Sequence, residues 1–313
     1  MFICAPQNGC SVYSLDLKKR TAQVMFKLPV EFRGTVKELF FYENSVYCVS
    51  LKNAIVSCFH VDRNENLETF AADSSAEFTC ATLMGTCIYI FPKNNLDRTV
   101  VFDIRNRVFL LPKFDCSEEA KSIYEKSTAR RSYRHKSSVY LLYTDLCCVL
   151  RVNLSTNEIK VLHVPQKYPY YDMKIIGDLC YLIPFDTREI FVWNMLSGDF
   201  KRVSDGGNEP YFRIALLGDD IYLYSKCGKN SVLSEGQIFE TDINLDVNKS
   251  IASDKGVYLL PWSDDRFAFV SYGMETEYFM IAEPIETILD EGFVMERNST
   301  LCDFISYIAG RGN

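Results

Sequence analysis

Short apolar runs recur along this chain in groups of up to four, and the groups return about every 40 to 50 residues. The stretch from Leu179 to Val203 shows the unit most clearly. Cys180 to Pro184, Glu189 to Asn194 and Phe200 to Val203 are strand-sized. The breaks between them, Phe185-Asp186-Thr187-Arg188 and Met195-Leu196-Ser197-Gly198-Asp199, carry turn chemistry. Such runs read as antiparallel strands joined by hairpins. The second strand of each unit starts near Phe2, Ser45, Cys87, Val139, Cys180, Asp220 and Phe267, at spacings of about 43, 42, 52, 41, 40 and 47 residues.

One four-stranded unit cannot bury both of its faces, whereas a ring of units packed face to face can. That also accounts for runs that are apolar almost throughout, such as Val139 to Tyr143. The expected fold class is all-β: a single β-propeller over residues 1–313, with seven four-stranded blades and six as the alternative. The expected blades are 1–30 plus 299–309, 35–72, 77–114, 127–165, 170–204, 210–252 and 255–292. The first lacks an inner strand and the tail has a spare one at Thr300 to Ile308. Pairing these would close the ring and remove an open sheet edge.

Composition narrows the function classes. A net charge of −7 disfavours non-specific binding to nucleic acid, whose phosphates would be repelled. Of the 12 cysteines, Cys48, Cys58, Cys80, Cys87, Cys147, Cys148 and Cys180 sit inside apolar runs, where they read as reduced core thiols. That favours a cytoplasmic protein. There is no C-x-x-C, and His60, His135 and His163 are far apart, so neither a metal site nor a cofactor is expected. The opening MFICAPQNGC lacks a basic n-region and a long apolar core, so no signal peptide is expected. Every apolar run falls short of the roughly 20 residues that a membrane helix needs.

Three units share a finer pattern, an apolar third strand ending at Asp or Asn, a tight turn and a fourth strand. They are Ile190-Phe191-Val192-Trp193-Asn194 with Ser197-Gly198-Asp199-Phe200, Val101-Phe102-Asp103 with Arg105-Asn106-Arg107-Val108, and Leu150-Arg151-Val152-Asn153 with Thr156-Asn157-Glu158. The order of these units resembles the kelch-type propellers. The kelch glycine pair after the second strand is missing, and Phe200 or Val108 stands where that family places Trp in the fourth strand. The resemblance implies a divergent kelch-like propeller and carries over no functional residue.

By analogy of fold, the loops around the central channel form the binding face. Three stand out. Asp115 to Lys136 begins as a short helix capped by Asp115 or Ser117, ends as a strand, and gathers Arg130, Arg131, Arg134 and Lys136 with His135. These cations suit a carboxylate or phosphate, or they pair with Glu118, Glu119 and Glu125. Pro165 to Asp172 presents Tyr168, Tyr170 and Tyr171 either as a contact surface or as packing over the channel. A weaker echo runs from Glu209 to Arg213, and Lys174 and Arg213 open innermost strands and could point toward the channel. Ser225 to Gly236 reads as a long polar loop in which Lys226, Lys229 and Asn230 reach over the mouth, or as a mobile loop.

The candidate ligand-binding residues are Arg131, Arg134, His135, Tyr170, Tyr171, Lys174 and Arg213, with no catalytic residue assigned. Neither G-x-S-x-G, H-E-x-x-H nor a phosphate-cradling glycine loop occurs. The expected function is a non-enzymatic binding or protein-interaction scaffold using the channel face. The alternative is an enzyme or binder acting on an anionic sugar or glycan, with Arg131, Lys174 and Arg213 holding a carboxylate and Tyr171 or His135 moving a proton. The expected partner is a protein or an anionic small molecule or glycan, not nucleic acid or membrane, and the expected state is a monomer.

Overall fold

The computed structural model describes residues 2–4, 10–16, 21–61, 67–74, 76–129, 131–217, 220–225, 229–243, 245, 247–252, 255–261, 266–273, 275–280 and 286–287. These residues form seven sheets and one α-helix. Sheet I holds β1 (Phe2–Cys4), β2 (Ser11–Asp16) and β3 (Thr21–Lys27). Sheet II holds β4 (Lys37–Tyr42), β5 (Ser45–Ser50), β6 (Ile55–His60) and β7 (Glu68–Ala71). Sheet III holds β8 (Phe78–Met84), β9 (Cys87–Pro92), β10 (Val100–Asp103) and β11 (Val108–Leu110). In sheet IV, β12 (Asp115–Cys116) runs parallel to the last strand of a meander made of β13 (Arg131–His135), β14 (Ser138–Tyr143), β15 (Cys148–Asn153) and β16 (Glu158–His163). Sheet V holds β17 (Tyr170–Ile176), β18 (Leu179–Pro184), β19 (Glu189–Asn194) and β20 (Phe200–Ser204). Sheet VI holds β21 (Tyr211–Leu217), β22 (Asp220–Ser225), β23 (Ser231–Ser234) and β24 (Gln237–Glu240). Sheet VII holds β25 (Val247–Ala252), β26 (Gly256–Pro261), β27 (Arg266–Ser271) and β28 (Thr276–Met280). A last strand, β29 (Glu286–Thr287), lies parallel to β3 in sheet I.

The chain divides into two compact units, sheets I to III with β29 in one and sheets IV to VII in the other. Within each, sheets next to one another in sequence pack face to face. In the first unit, Val12 and Phe26 of sheet I meet Val46, Cys48 and Phe59 of sheet II, with the Phe26 and Phe59 rings stacked at 4.4 Å. Val49, Val56 and Cys58 of sheet II then meet Ile88, Ile90 and Phe102 of sheet III. In the second unit the same holds for sheets IV and V, V and VI, and VI and VII. A central strand covered on both faces is buried at every position, as β5 and β14 are, so its sequence cannot alternate.

The third-to-fourth hairpins have a common chemical cause. Asp103 Oδ1 accepts the amides of Arg105 at 2.9 Å and Asn106 at 3.1 Å. Asn153 Oδ1 accepts those of Ser155 and Thr156, and Asn194 Oδ1 those of Leu196 and Ser197. Four residues after each capping side chain the backbone turns left-handed, at Arg107 (φ 57°), Asn157 (φ 57°) and Gly198 (φ 80°). An Asx turn closed by one left-handed residue reverses the chain into the outer strand. The first strands share another device. β8, β17, β21 and β25 each carry a bulge just after their first residue, opposite Pro92, Pro184, Ser225 and Pro261. Proline has no N–H to give the ladder, so it is at home opposite a bulge.

Helix α1 (Glu118–Lys126) occupies the polar segment as the sequence predicts, with the Ser117 hydroxyl accepting from the Ala120 amide at 3.2 Å. The sixth and seventh groups differ from the sequence reading. Ser231–Ser234 is a strand, not loop, and turns through Glu235 (φ 49°) and Gly236 (φ 80°) into β24. Only Val232 and Leu233 are apolar in that strand, so the run is too short to stand out. Val247–Ala252, at the end of the expected blade 210–252, instead opens sheet VII, and the strand containing Phe267 is therefore third rather than second. The end of the expected blade 255–292 contributes β29 to sheet I, while Thr300 to Ile308 lies outside the described residues. Nine of the cysteines, from Cys10 to Cys180, are free thiols. Burial pushes Cys48 and Cys180 up to about 12 and Cys148 up to about 11, which leaves them protonated and inert.

Candidate anion-binding site

Three first strands of the second unit, β13, β17 and β21, lie side by side. Each brings cationic or aromatic side chains to the same place. The bulge in β17 makes Tyr171 the extra residue between Tyr170, paired with Pro184, and Asp172, paired with Ile183. A matching bulge in β21 sets Arg213 opposite Tyr224. Bulges break the strict alternation of side chains and so re-aim the residues that follow. The Tyr171 ring lies under two guanidinium groups, Arg131 at 5.1 Å and Arg213 at 5.2 Å from its centroid. Lys174 Nζ sits 4.8 Å from the centroid of Tyr133. All three distances fall within cation–π range.

Asp172 anchors the group. Its carboxylate accepts the amides of Met173 at 3.0 Å and of Ile214 on the neighbouring β21 at 3.3 Å. Arg131 Nε stands 3.9 Å from Asp172 Oδ1, an ion pair rather than a hydrogen bond. Burial raises the Asp172 carboxyl above its usual range, while Lys174, Arg213 and Arg131 pull against that rise. Burial, and to a lesser degree Arg213, lowers the Lys174 ammonium, and Asp172 opposes that fall. Three cations therefore surround one carboxylate, in a chain whose net charge is −7.

No family model matches the chain, and no curated protein matches its sequence. Solved structures do resemble it. Virginiamycin B lyase from Staphylococcus aureus is similar with a TM-score of 0.58 at 11% identity, over 80% of this chain and 85% of that one. YCF48 bound to D1 peptide is similar with a TM-score of 0.63 at 10% identity, over 85% of each chain. BamB from Moraxella catarrhalis is similar with a TM-score of 0.53 at 10% identity, over 87% of this chain and 80% of that one. The fold is a β-propeller. At such identities the likeness carries the fold alone.

Of the residues singled out in sequence, the propeller brings Arg131, Tyr171, Lys174 and Arg213 together. Arg134 is exposed and alternates with Arg131, Tyr133 and His135 along β13, which puts it on the other face of that strand. His135 lies at the far end of β13, where burial and Lys136 hold its pKa below the usual histidine range against the pull of Asp178. Tyr170 is a core residue, not a contact surface. It is fully buried, its hydroxyl donates to the Gln166 carbonyl at 3.0 Å, and its ring packs edge-on against Phe191. Tyr168 also packs on Phe191, so of the three tyrosines only Tyr171 stands among the cations. Glu118 and Glu119 pair with Lys121 and His163.

In the third segment, Lys229 pairs with Glu240 at 2.7 Å. Asn230 is buried, not reaching over a mouth. Its amide donates to the Ile243 and Leu245 carbonyls, both at 2.9 Å, and its oxygen accepts the Ser225 amide. Arg130 and Lys226 lie outside the described residues. Among the described residues no group of three or more His, Cys, Asp or Glu side chains could hold a metal ion, and no helix is long and apolar enough to cross a membrane. Asp172 was absent from the sequence candidates. Its spacing of two from Lys174 on a strand put both on one face and was the available signal.

Proposed function

We propose that this propeller is a non-enzymatic interaction module that captures an acidic segment of a protein partner through Arg131, Tyr171, Lys174 and Arg213. The observation that carries the reading is the cationic cluster: Arg131, Lys174 and Arg213 gather around the buried Asp172 carboxylate, with two guanidinium groups on a single tyrosine ring. Guanidinium forks match carboxylates two bonds at a time, and a half-buried aromatic between them adds contact area at little cost in side-chain entropy. The surrounding negative protein would repel acidic partners elsewhere and so direct them to this patch. A solved protein of the same fold, YCF48, is bound to a peptide, which supports a peptide surface on such a scaffold. A kelch-type affinity belongs to the same reading, supported by the Asx-capped hairpins at Asp103, Asn153 and Asn194.

The test is fluorescence anisotropy with a labelled Glu- and Asp-rich peptide, its Gln and Asn counterpart, and unlabelled uronic and sialic acids as competitors. The acidic peptide is expected to bind and to weaken with added salt, and Arg213→Ala to cost at least about tenfold in Kd. Equal binding of the neutral peptide, or no effect of Arg213→Ala, would overturn the reading. Capture of a sugar acid without the peptide would favour an anionic-glycan site instead.

A further inference from the structure

At the opposite end of β18 and β22 from the cationic cluster, sheets V and VI part to leave a cleft of about 260 Å³. We infer that this cleft is a second binding site, for a free zwitterionic amino acid with a large apolar side chain. The inference does not depend on the acidic-segment reading.

The cleft continues the apolar interface between the two sheets. At one end that interface is closed by the buried Arg188–Asp205 ion pair and Tyr211. At the other it opens, floored by Leu179, Tyr181, Val192, Ile221 and Leu233. Tyr181 and Val192 are only partly buried there, so apolar surface faces the opening. Its volume lies below the roughly 300–1,000 Å³ of drug-sized pockets. A nucleotide or polycyclic cofactor is therefore too large, and an indole- or phenyl-sized body fits.

The lining also carries charges of both signs. Lys201 comes from β20, Asp220 from β22 and Glu235 from the turn between β23 and β24. The Lys201 ammonium lies over that turn, 3.5 Å from where a β-carbon on Gly236 would stand. Among the described residues none of these three side chains forms an ion pair with the protein, whereas nearby Arg202 is paired with Glu189. An α-carboxylate facing Lys201 and an α-ammonium facing Asp220 and Glu235 would use all three charges, and the apolar side chain would cover the floor.

Calorimetry with L-tryptophan tests this, with tryptamine and indole-3-propionate as ligands that each lack one of the two charges. Tryptophan is expected to bind one to one and each analogue at least about tenfold more weakly. Val192→Phe fills the floor and is expected to abolish binding. Should that variant fail to fold, Glu235→Lys in the exposed turn is expected to weaken tryptophan by at least about tenfold and to favour indole-3-propionate over tryptamine. Absence of tryptophan binding up to its solubility limit would overturn the inference, as would analogues that bind equally well. Binding that survives Glu235→Lys and, where it folds, Val192→Phe would do so too.

Discussion

Arg188 Nε donates to Asp205 Oδ2 at 2.7 Å, with only 4% of one side chain and 10% of the other exposed to water. Four of the five guanidinium N–H groups are met, the other three of these by the Glu209 carbonyl at 3.3 Å, the Lys229 carbonyl at 3.1 Å and Ser231 Oγ at 3.1 Å. Tyr211 donates its hydroxyl to the same carboxylate oxygen at 2.6 Å and lies under the guanidinium at 4.6 Å. The chain passes so close that a β-carbon on Gly207 would stand 2.4 Å from Arg188 Cδ. Removing one member of a buried pair leaves the other charge uncompensated. Arg188→Ala is therefore expected to destabilise by about 3–5 kcal/mol in urea unfolding. A loss below about 1 kcal/mol would put this network on a par with a surface pair.

The same pair sets an acid limb. Although burial works against it, hydrogen bonds from Tyr211, the Gly207 amide and Arg188 hold the Asp205 carboxyl below its ordinary range. A carboxyl depressed in the folded state contributes stability above its unfolded pKa of about 3.9 and loses it as pH falls through the lower folded value. Melting temperature should drop through that acid window. In Asp205→Asn the baseline is lower and this part of the pH dependence is flattened. Parallel melting curves for the two proteins between pH 2 and pH 5 would contradict the assignment.

The Asx turns give a prediction repeated in three places. Asn194→Ala removes the oxygen that accepts the Leu196 and Ser197 amides in an exposed hairpin. A cost of about 0.5–1.5 kcal/mol is expected. Gly198→Ala meets no atom within 4 Å, yet places a β-carbon at φ 80°, so the loss of about 1–2 kcal/mol is conformational rather than steric. Asn157→Gly at the equivalent left-handed position relieves that strain and should be neutral or stabilising. Chemical denaturation of the three variants orders them; a stabilised Gly198→Ala would refute the conformational account.

Most of the fold was legible because strand-sized runs and turn chemistry are local. The Asx hairpins at Asp103, Asn153 and Asn194 could be read residue by residue, and so could the Ser117 cap. Where a strand is as short as Ser231–Ser234, periodicity has too few residues to speak, and the count of later strands slipped by one. The site was legible only in part. Arg131, Lys174 and Arg213 were visible as cations at the starts of strands, but which tyrosine stands among them depends on a bulge that seats Tyr170 in the core and Tyr171 outside it. Arg188 reads locally as turn charge. Its partner Asp205 lies 17 residues on, and only the packing of sheets V and VI makes the two a buried pair.

Asp172 lets binding and stability be separated. Its carboxylate offsets part of the charge of Arg131, Lys174 and Arg213, and it also accepts two backbone amides. Asn at this position keeps one accepting oxygen and loses the charge. One amide, on Met173 or Ile214, is then left unmet in a buried place, at a cost of about 1–3 kcal/mol. The cationic field seen by an acidic ligand grows at the same time. Asp172→Asn is therefore expected to lower the melting temperature while tightening the acidic peptide at least about threefold and steepening its salt dependence. Arg213→Ala is expected to weaken the peptide, and the two substitutions should oppose each other when combined. Anisotropy titrations at two salt concentrations on the four proteins measure this directly. Weaker binding in Asp172→Asn would mean that the carboxylate positions the arginines rather than offsetting them, and the site would then act through geometry more than through net charge.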